Sequence, residues 1–242
     1  MCYHVNVNTN GKQISDQFDL SIPLGFHFPP IHHQSGFDFP QLPITTHQGV
    51  LQLASWGLVP EWVKSPDQAM SMKSATLNAR AESIFQKPAF AESMVNRRCL
   101  VFLTGFFEWQ AVGKNKYPFF IHCPERPIIP MAGIFSHDPL KISTNEKDMT
   151  FSIVTVQANA LMSKIHNTKQ RMPLILKDDQ LSAWMAPESS QKTLKSLMLP
   201  YDGPMKAHSV KLRLQQGRFV NEATATDRVD YPALAFKQGR LF

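Results

Sequence analysis

The chain opens on an alternating segment. In Cys2-Tyr3-His4-Val5-Asn6-Val7, Tyr3, Val5 and Val7 fall on one face and Cys2, His4 and Asn6 on the other. That is the period of a half-buried strand, with Cys2 and His4 aimed the same way. Residues Phe26 to Pro43, rich in Pro, His and Phe and without clear period, predict an irregular loop. Val50 to Trp56 predicts a strand, and Asn78 to Gln86 the beginning of a short helix. Pro88 suits the first turn of a second helix running to about Asn96. The most apolar run, Cys99 to Trp109, predicts one strand buried on both faces, with Gly105 as a kink or bulge. Further strands are predicted over Pro118 to His122, Ile128 to Phe135, Phe151 to Gln157 and Met172 to Leu176. Short helices are predicted over Asn159 to Lys164, Asp179 to Met185 and Ser190 to Leu199, the last ending before Pro200. Strands in long succession with scattered helices predict an α+β fold on a curved, mainly antiparallel sheet.

Composition narrows the class. A length of 242 residues favours one large domain over residues 1–242, with 43% hydrophobic residues to build its core. No uninterrupted run of about 18 apolar residues is present, which argues against a membrane span. The start of the chain lacks the basic and apolar regions of a secretory signal. The cysteines, Cys2, Cys99 and Cys123, form no CxxC. A disulfide framework and a structural zinc site therefore have no support, and a reducing cytoplasm is the expected compartment. Net charge of +6 and a pI near 9.3 favour polyanionic partners without establishing one.

Several residues carry possible chemistry. Removal of Met1 is expected when a small residue follows, and it would give Cys2 both an α-amine and a thiol. Their ordinary pKa values of about 7.7–8.0 and about 8.5 leave reactive forms of both near neutrality. A 1,2-aminothiol condenses with an aldehyde, first as an imine and then as a five-membered thiazolidine. Taken alone, a penultimate Cys also reads as a small apolar residue starting a strand. Glu108, within Gly105-Phe106-Phe107-Glu108-Trp109, ends the most buried run, where a carboxylate needs a partner; it could hold the α-amine of Cys2 and accept its proton. It could equally face solvent or pair with an Arg. His166, near a helix end, is a candidate acid or base. In Asn78-Ala79-Arg80, an extended backbone would aim Asn78 and Arg80 the same way, the first toward a sugar oxygen and the second toward a phosphate. An N-cap Asn and a surface Arg are the alternative. Trp56 and Trp62 could stack on unpaired bases or pack in the core.

The order of these pieces resembles the SRAP family, the SOS response-associated peptidases. The matching elements are Cys2 directly after Met1, Trp56-Gly57-Leu58-Val59-Pro60-Glu61-Trp62, Asn78-Ala79-Arg80-Ala81-Glu82 and Arg98-Cys99-Leu100-Val101. After these come Gly105-Phe106-Phe107-Glu108-Trp109, Ala132-Gly133-Ile134-Phe135, Ile165-His166 and Arg171-Met172-Pro173. The resemblance implies a pseudo-barrel α+β domain with peripheral helices that senses abasic sites in single-stranded DNA. It implies a reversible thiazolidine crosslink through the N-terminal Cys, which shields the lesion from strand cleavage. It further implies Cys2 as nucleophile, Glu108 as amine-positioning proton relay, His166 as acid or base in ring-opening and reversal, and Asn78 as a holder of the reacting centre. Arg80 and Arg171 would bind flanking phosphates, with Trp56 and Trp62 as further DNA contacts. The family's proteolytic activity would release residues ahead of the Cys; here only Met1 precedes it, and ordinary methionine removal suffices. Single-stranded DNA bearing abasic sites is the implied partner of a cytoplasmic monomer that is nucleoid-associated when bound to DNA, with no cofactor or metal.

Three departures from the family pattern stand out. Tyr3 and His4 replace the usual Gly-Arg after the Cys, so a phosphate contact is lost or supplied in part by protonated His4. Ser35-Gly36-Phe37-Asp38-Phe39-Pro40 replaces the usual Asn-Ala-Pro stretch, and the loop from His166 to Arg171 is longer than the usual His-x-Arg-Met-Pro. Rival readings are an N-terminal-nucleophile amidohydrolase, a non-covalent single-strand-binding module using Trp and Arg, and, more remotely, a Cys–His protease using Cys99 or Cys123.

Overall fold

The computed structural model describes residues 2–140 and 149–234. The chain begins with strand β1 (His4–Val7), helix α1 (Gly11–Phe18), and strands β2 (Ile31–Ser35), β3 (Gln41–Thr46) and β4 (Leu51–Trp56). Helix α2 (Pro66–Ala75), strand β5 (Asn78–Arg80) and helix α3 (Ala91–Asn96) follow. Five strands come next: β6 (Arg98–Leu103), β7 (Gly105–Val112), β8 (Asn115–His122), β9 (Ile129–His137) and β10 (Met149–Gln157). The remainder comprises α4 (Ala160–Ile165), β11 (Arg171–Pro173), α5 (Asp178–Met185), α6 (Gln191–Leu197), β12 (Lys206–Ser209), and the hairpin of β13 (Leu214–Gln215) and β14 (Arg218–Phe219).

Strands β3, β4, β10, β9 and β6 pair in a ring and close into a barrel, antiparallel throughout except for β4 beside β10. A closed sheet leaves no unpaired edge. The expected α+β class with a pseudo-barrel and peripheral helices is what forms. Strand β10 is the seam. Its first half pairs with β9 through Met149–Ile153, and its second half takes β11 on one side and β5 in parallel on the other. Positions 149–156 of β10 are all buried, as are all six positions of β6. After Arg98, β6 reads as a continuous apolar run, as fully covered strands do, whereas β10 carries Thr150, Ser152 and Thr155 among its buried apolar residues.

A second sheet runs in the order β12-β8-β7-β1-β2. Strand β1 is interior to it, between β2 and β7. Accordingly Cys2, Val5, Asn6 and Val7 are all buried, and the expected half-buried strand becomes one covered on both faces. Asn6 is tolerated inside because Nδ2 donates to the His32 carbonyl at 2.8 Å and Oδ1 accepts from the Thr104 hydroxyl.

The run Cys99 to Trp109 is two strands in two sheets, not one. Thr104 makes the crossing: its N–H donates to the Asn6 carbonyl at 2.9 Å, and its hydroxyl accepts from the Asn8 N–H at 2.9 Å. Gly105 is neither kink nor bulge. It opens β7 where a Cβ would stand 2.3 Å from the Phe120 ring and 2.8 Å from the Ile121 carbonyl oxygen. Three further expectations fail. The loop expected over Phe26 to Pro43 contains β2 and the start of β3. The helix expected from Asn78 is strand β5, because its backbone pairs with β10. The helix expected to run from Pro88 instead starts at Ala91. Helices α1, with an Asn10–Gln13 capping box, and α2, capped by Ser65, lie in segments for which no element was expected. Among the described residues no helix is long and apolar enough to cross a membrane.

Replacing Gly105 by Ala forces β7 away from β8. The variant is expected to lose about 1–3 kcal/mol of stability in urea unfolding, the usual cost of overpacking a filled core. An unchanged midpoint would show that the Phe120 ring gives way freely.

Candidate active site

Strands β1, β5 and β7 and the end of α4 converge on one cleft of about 460 Å³, lined among others by Tyr3, Arg80, Glu108, Trp109, His166 and Lys169. Glu108 sits mid-way along β7, opposite Phe119 of β8, with only 5% of its surface exposed. Burial pushes its carboxyl up to about 7. His166 caps α4, its own N–H closing the helix on the Met162 carbonyl at 2.7 Å. Its ring is buried, with Nδ1 3.0 Å from the Arg171 carbonyl and 3.6 Å from Glu108 Oε1. Donation to the carbonyl puts the proton on Nδ1, so in the neutral ring Nε2 carries the lone pair. Burial lowers the pKa of His166, and the bond to the Arg171 carbonyl opposes that shift.

Cys2 is fully buried. Asn78, on β5, which pairs with β10 of the barrel, donates from Nδ2 to the Cys2 carbonyl at 2.8 Å and so ties the start of the chain across to the other sheet. The Cys2 thiol is pushed well above the usual range by burial and then by the negative charge of Glu108. Asn78, Cys2, Glu108 and His166 are therefore gathered in one place, as the sequence suggested. Arg80 is exposed and lines the same cleft.

Three expected DNA contacts lie elsewhere. Trp56 is fully buried, stacks in parallel on Phe151, and donates from Nε1 to the Leu77 carbonyl at 2.7 Å; it is a core residue. Trp62 is 45% exposed but does not line the cleft. Arg171 is buried and braced inside the fold: Nη1 bonds Glu82 at 2.5 Å, and Nη2 donates to the Thr155 carbonyl at 2.6 Å. With both terminal nitrogens so engaged, it ties β11 to β10 and to Glu82 just beyond β5 rather than gripping a phosphate. Lys116 and Lys169 line the cleft instead. Lys169 was detectable as the cation inside the lengthened loop after His166; Lys116 gives no sequence signal of its own.

His4 does not replace the absent Arg as a cation. Its ring stacks on His33 at 5.1 Å between centroids and meets Trp109 and Phe219 edge-on. Burial, with His33 beside it, lowers its pKa to about 3. Cys99 and Cys123 are buried too. Burial raises both thiols, that of Cys123 to about 11, which is the wrong direction for a nucleophilic thiolate. Among the described residues no group of His, Cys, Asp and Glu could hold a metal ion.

Comparison with known proteins identifies the family. The family model described as SOS response associated peptidase (SRAP) matches residues 1–216. The abasic site processing protein YoaM of Bacillus subtilis is 32% identical over 226 residues, 87% of this chain and 91% of its own. The abasic site processing protein HMCES of Gallus gallus is 33% identical over 157 residues, covering 56% of this chain and 45% of its own. A crystal structure of a protein from Bacteroides thetaiotaomicron superposes with a TM-score of 0.83 at 33% identity, over 94% of this chain and all of the other. The chain belongs to the SRAP family.

The buried histidine pair has a stability consequence. Burial also lowers His33, to about 4 from an ordinary 6.5, so below pH 6.5 the unfolded chain takes up protons that the folded one refuses. Stability is then complete above about 6.5 and falls as pH drops toward 4. His33→Phe, which keeps the ring contacts and removes the titration, should reduce that loss by on the order of 2 kcal/mol in unfolding measured across this range. Identical pH profiles for the two proteins would contradict the burial.

Proposed function

We propose that this protein processes abasic sites in single-stranded DNA by forming a reversible covalent crosslink through Cys2 after Met1 is removed. The observation that carries the proposal is the hydrogen bond from Asn78 to the Cys2 carbonyl. It fixes the residue that would bear the free α-amine beside a buried carboxyl poised near neutrality. The names of the SRAP relatives, abasic site processing proteins, support the same substrate.

The chemistry follows from the state of each group. The Cys2 thiol is held protonated, so the amine reacts first. Its nitrogen attacks the aldehyde carbon of the ring-opened sugar and loses a proton, for which Glu108 is the acceptor. Water leaves as the imine forms, its oxygen protonated by Glu108 or His166. The thiol sulfur then adds to the imine carbon and its proton passes to nitrogen, closing a thiazolidine with net loss of one water. Reversal runs the same steps backward. His166, neutral at pH 7 with Nε2 basic, is suited to removing the sugar hydroxyl proton in ring-opening. Single-stranded DNA presents the lesion without the few kcal/mol needed to unpair a duplex. Arg80, Lys116 and Lys169 supply the positive field for its backbone, so affinity should fall with salt. A peptidase activity would use the same nucleophile on residues preceding Cys2.

A single-stranded oligonucleotide with one abasic site, run on a denaturing gel, tests this. Wild-type protein gives a heat-stable shifted band, and Cys2→Ala binds the DNA but gives none; an adduct from Cys2→Ala would refute the proposal. Glu108→Gln should slow crosslinking by about 10²-fold or more, the usual weight of a general acid–base group. Its rate should also lose the rise with pH that wild type shows through neutrality. Wild-type rate and pH profile in Glu108→Gln would remove Glu108 from the mechanism.

A further inference from the structure

An exposed aromatic ring packs against Tyr3 of the cleft lining, on a turn held by several hydrogen bonds. Phe37 is 53% exposed. One side of it meets the ring of Tyr3, a cleft-lining residue, at 5.0 Å between centroids and 34° between planes. The turn Gly36–Asp38 is fixed on every side. The Gly36 N–H donates to the Tyr3 carbonyl at 2.7 Å, the Phe37 N–H to Ser35 Oγ at 3.3 Å, and the Phe39 N–H to the Gly36 carbonyl at 3.0 Å. Gln34 Nε2 donates to Asp38 Oδ2 at 2.9 Å. Beneath, the Trp56 ring packs so closely that a Cβ on residue 36 would lie 2.9 Å from it, so only glycine fits. Buried Trp56 thus supports the turn from below.

Single exposed apolar side chains are common and carry no meaning alone. This one differs because its turn is held by hydrogen bonds, its ring packs at a tilt against that of a cleft residue, and that cleft also holds Arg80, Lys116 and Lys169. Both aromatic residues occupy positions where the chain departs from its family's pattern. A fixed aromatic face beside cationic side chains is the chemistry that receives an unpaired nucleobase while the cations take the backbone. A shelf already held in place costs no side-chain ordering on binding. We propose that Tyr3 and Phe37 form a stacking shelf for the nucleobase next to the abasic nucleotide, making this protein sensitive to the identity of that neighbour. The inference rests on the proposed function for the nature of its ligand.

The test uses the full chain and oligonucleotides with one lesion whose flanking nucleotide, on each side in turn, is adenine, thymine or a base-less spacer. Two readouts are taken: crosslink yield against protein concentration for a true abasic site, and Kd for its tetrahydrofuran analogue, which has no aldehyde. On one side of the lesion, wild type should favour adenine over spacer by about 5- to 100-fold, the usual weight of one base stacked on an aromatic residue. Phe37→Ala and Tyr3→Ala should become nearly indifferent to that neighbour, while Tyr3→Phe keeps the preference. Equal neighbour dependence in wild type and Phe37→Ala overturns the shelf. So does a Phe37→Ala variant whose oligomeric state changes while its DNA preference does not, since the ring then serves a protein contact. Crosslinking without any neighbour preference would reject the shelf and leave the proposed function intact. A preference in Kd without any adduct would do the reverse.

Discussion

The burial of the chain's first strand governs the site. Chain ends are ordinarily frayed and exposed unless something ties them down. Here β1 lies between β2 and β7, and Asn78 of β5, the strand paired with β10 of the barrel, holds the Cys2 carbonyl, so the second residue of the chain is as buried as any in the core. For the proposed reaction, holding Cys2 at the head of an interior strand removes conformational freedom that would otherwise have to be lost when the substrate arrives. The two sheets meet around this strand, and Thr104, which carries the chain from one to the other, hydrogen-bonds to its Asn6.

Burial also sets the protonation states. It raises Glu108 to about 7 and lowers His166, so the two neighbours are drawn toward their neutral forms, 3.6 Å apart. A carboxyl raised to about 7 can give or take a proton near neutral pH and a neutral imidazole can take one, which is what the proposed imine formation and its reversal would use. The same burial suppresses the thiolate of Cys2, which in the proposed reaction puts the amine first and the sulfur second. One physical cause thus underlies the placement of these groups and their protonation states.

Much of this was legible from residues alone, with identifiable failures. Glu108 stood out because a carboxylate in Gly-Phe-Phe-Glu-Trp is chemically out of place, and Asn78 and His166 through the family resemblance. The two-strand nature of Cys99 to Trp109 was hidden because Thr104, the crossing residue, breaks neither the apolar run nor any backbone rule. Strand β2, reading Ile-His-His-Gln-Ser, has almost no strand pattern of its own. It forms because β1 pairs with it and because Asn221 accepts from the N–H groups of His32 and His33, a contact from nearly two hundred residues away. Arg171, expected on a phosphate, and Trp56, open between base stacking and core packing, share one difficulty: a residue type suited to DNA contact is equally suited to interior bracing. Only the partners, Glu82 and Thr155 for the one and Leu77 for the other, decide between the two uses. The lowered pKa of His4 comes from burial first and His33 second, and no local pattern announces either.

The central claim is that the α-amine and thiol of Cys2 together close a ring on the abasic aldehyde. Intact-mass measurement of the purified adduct tests it most directly. The predicted mass is that of the chain without Met1 plus the oligonucleotide less one water, with no free thiol at position 2 and no change after borohydride treatment. An adduct that retains Met1, keeps the Cys2 thiol alkylatable, or gains two hydrogens on reduction would contradict the account.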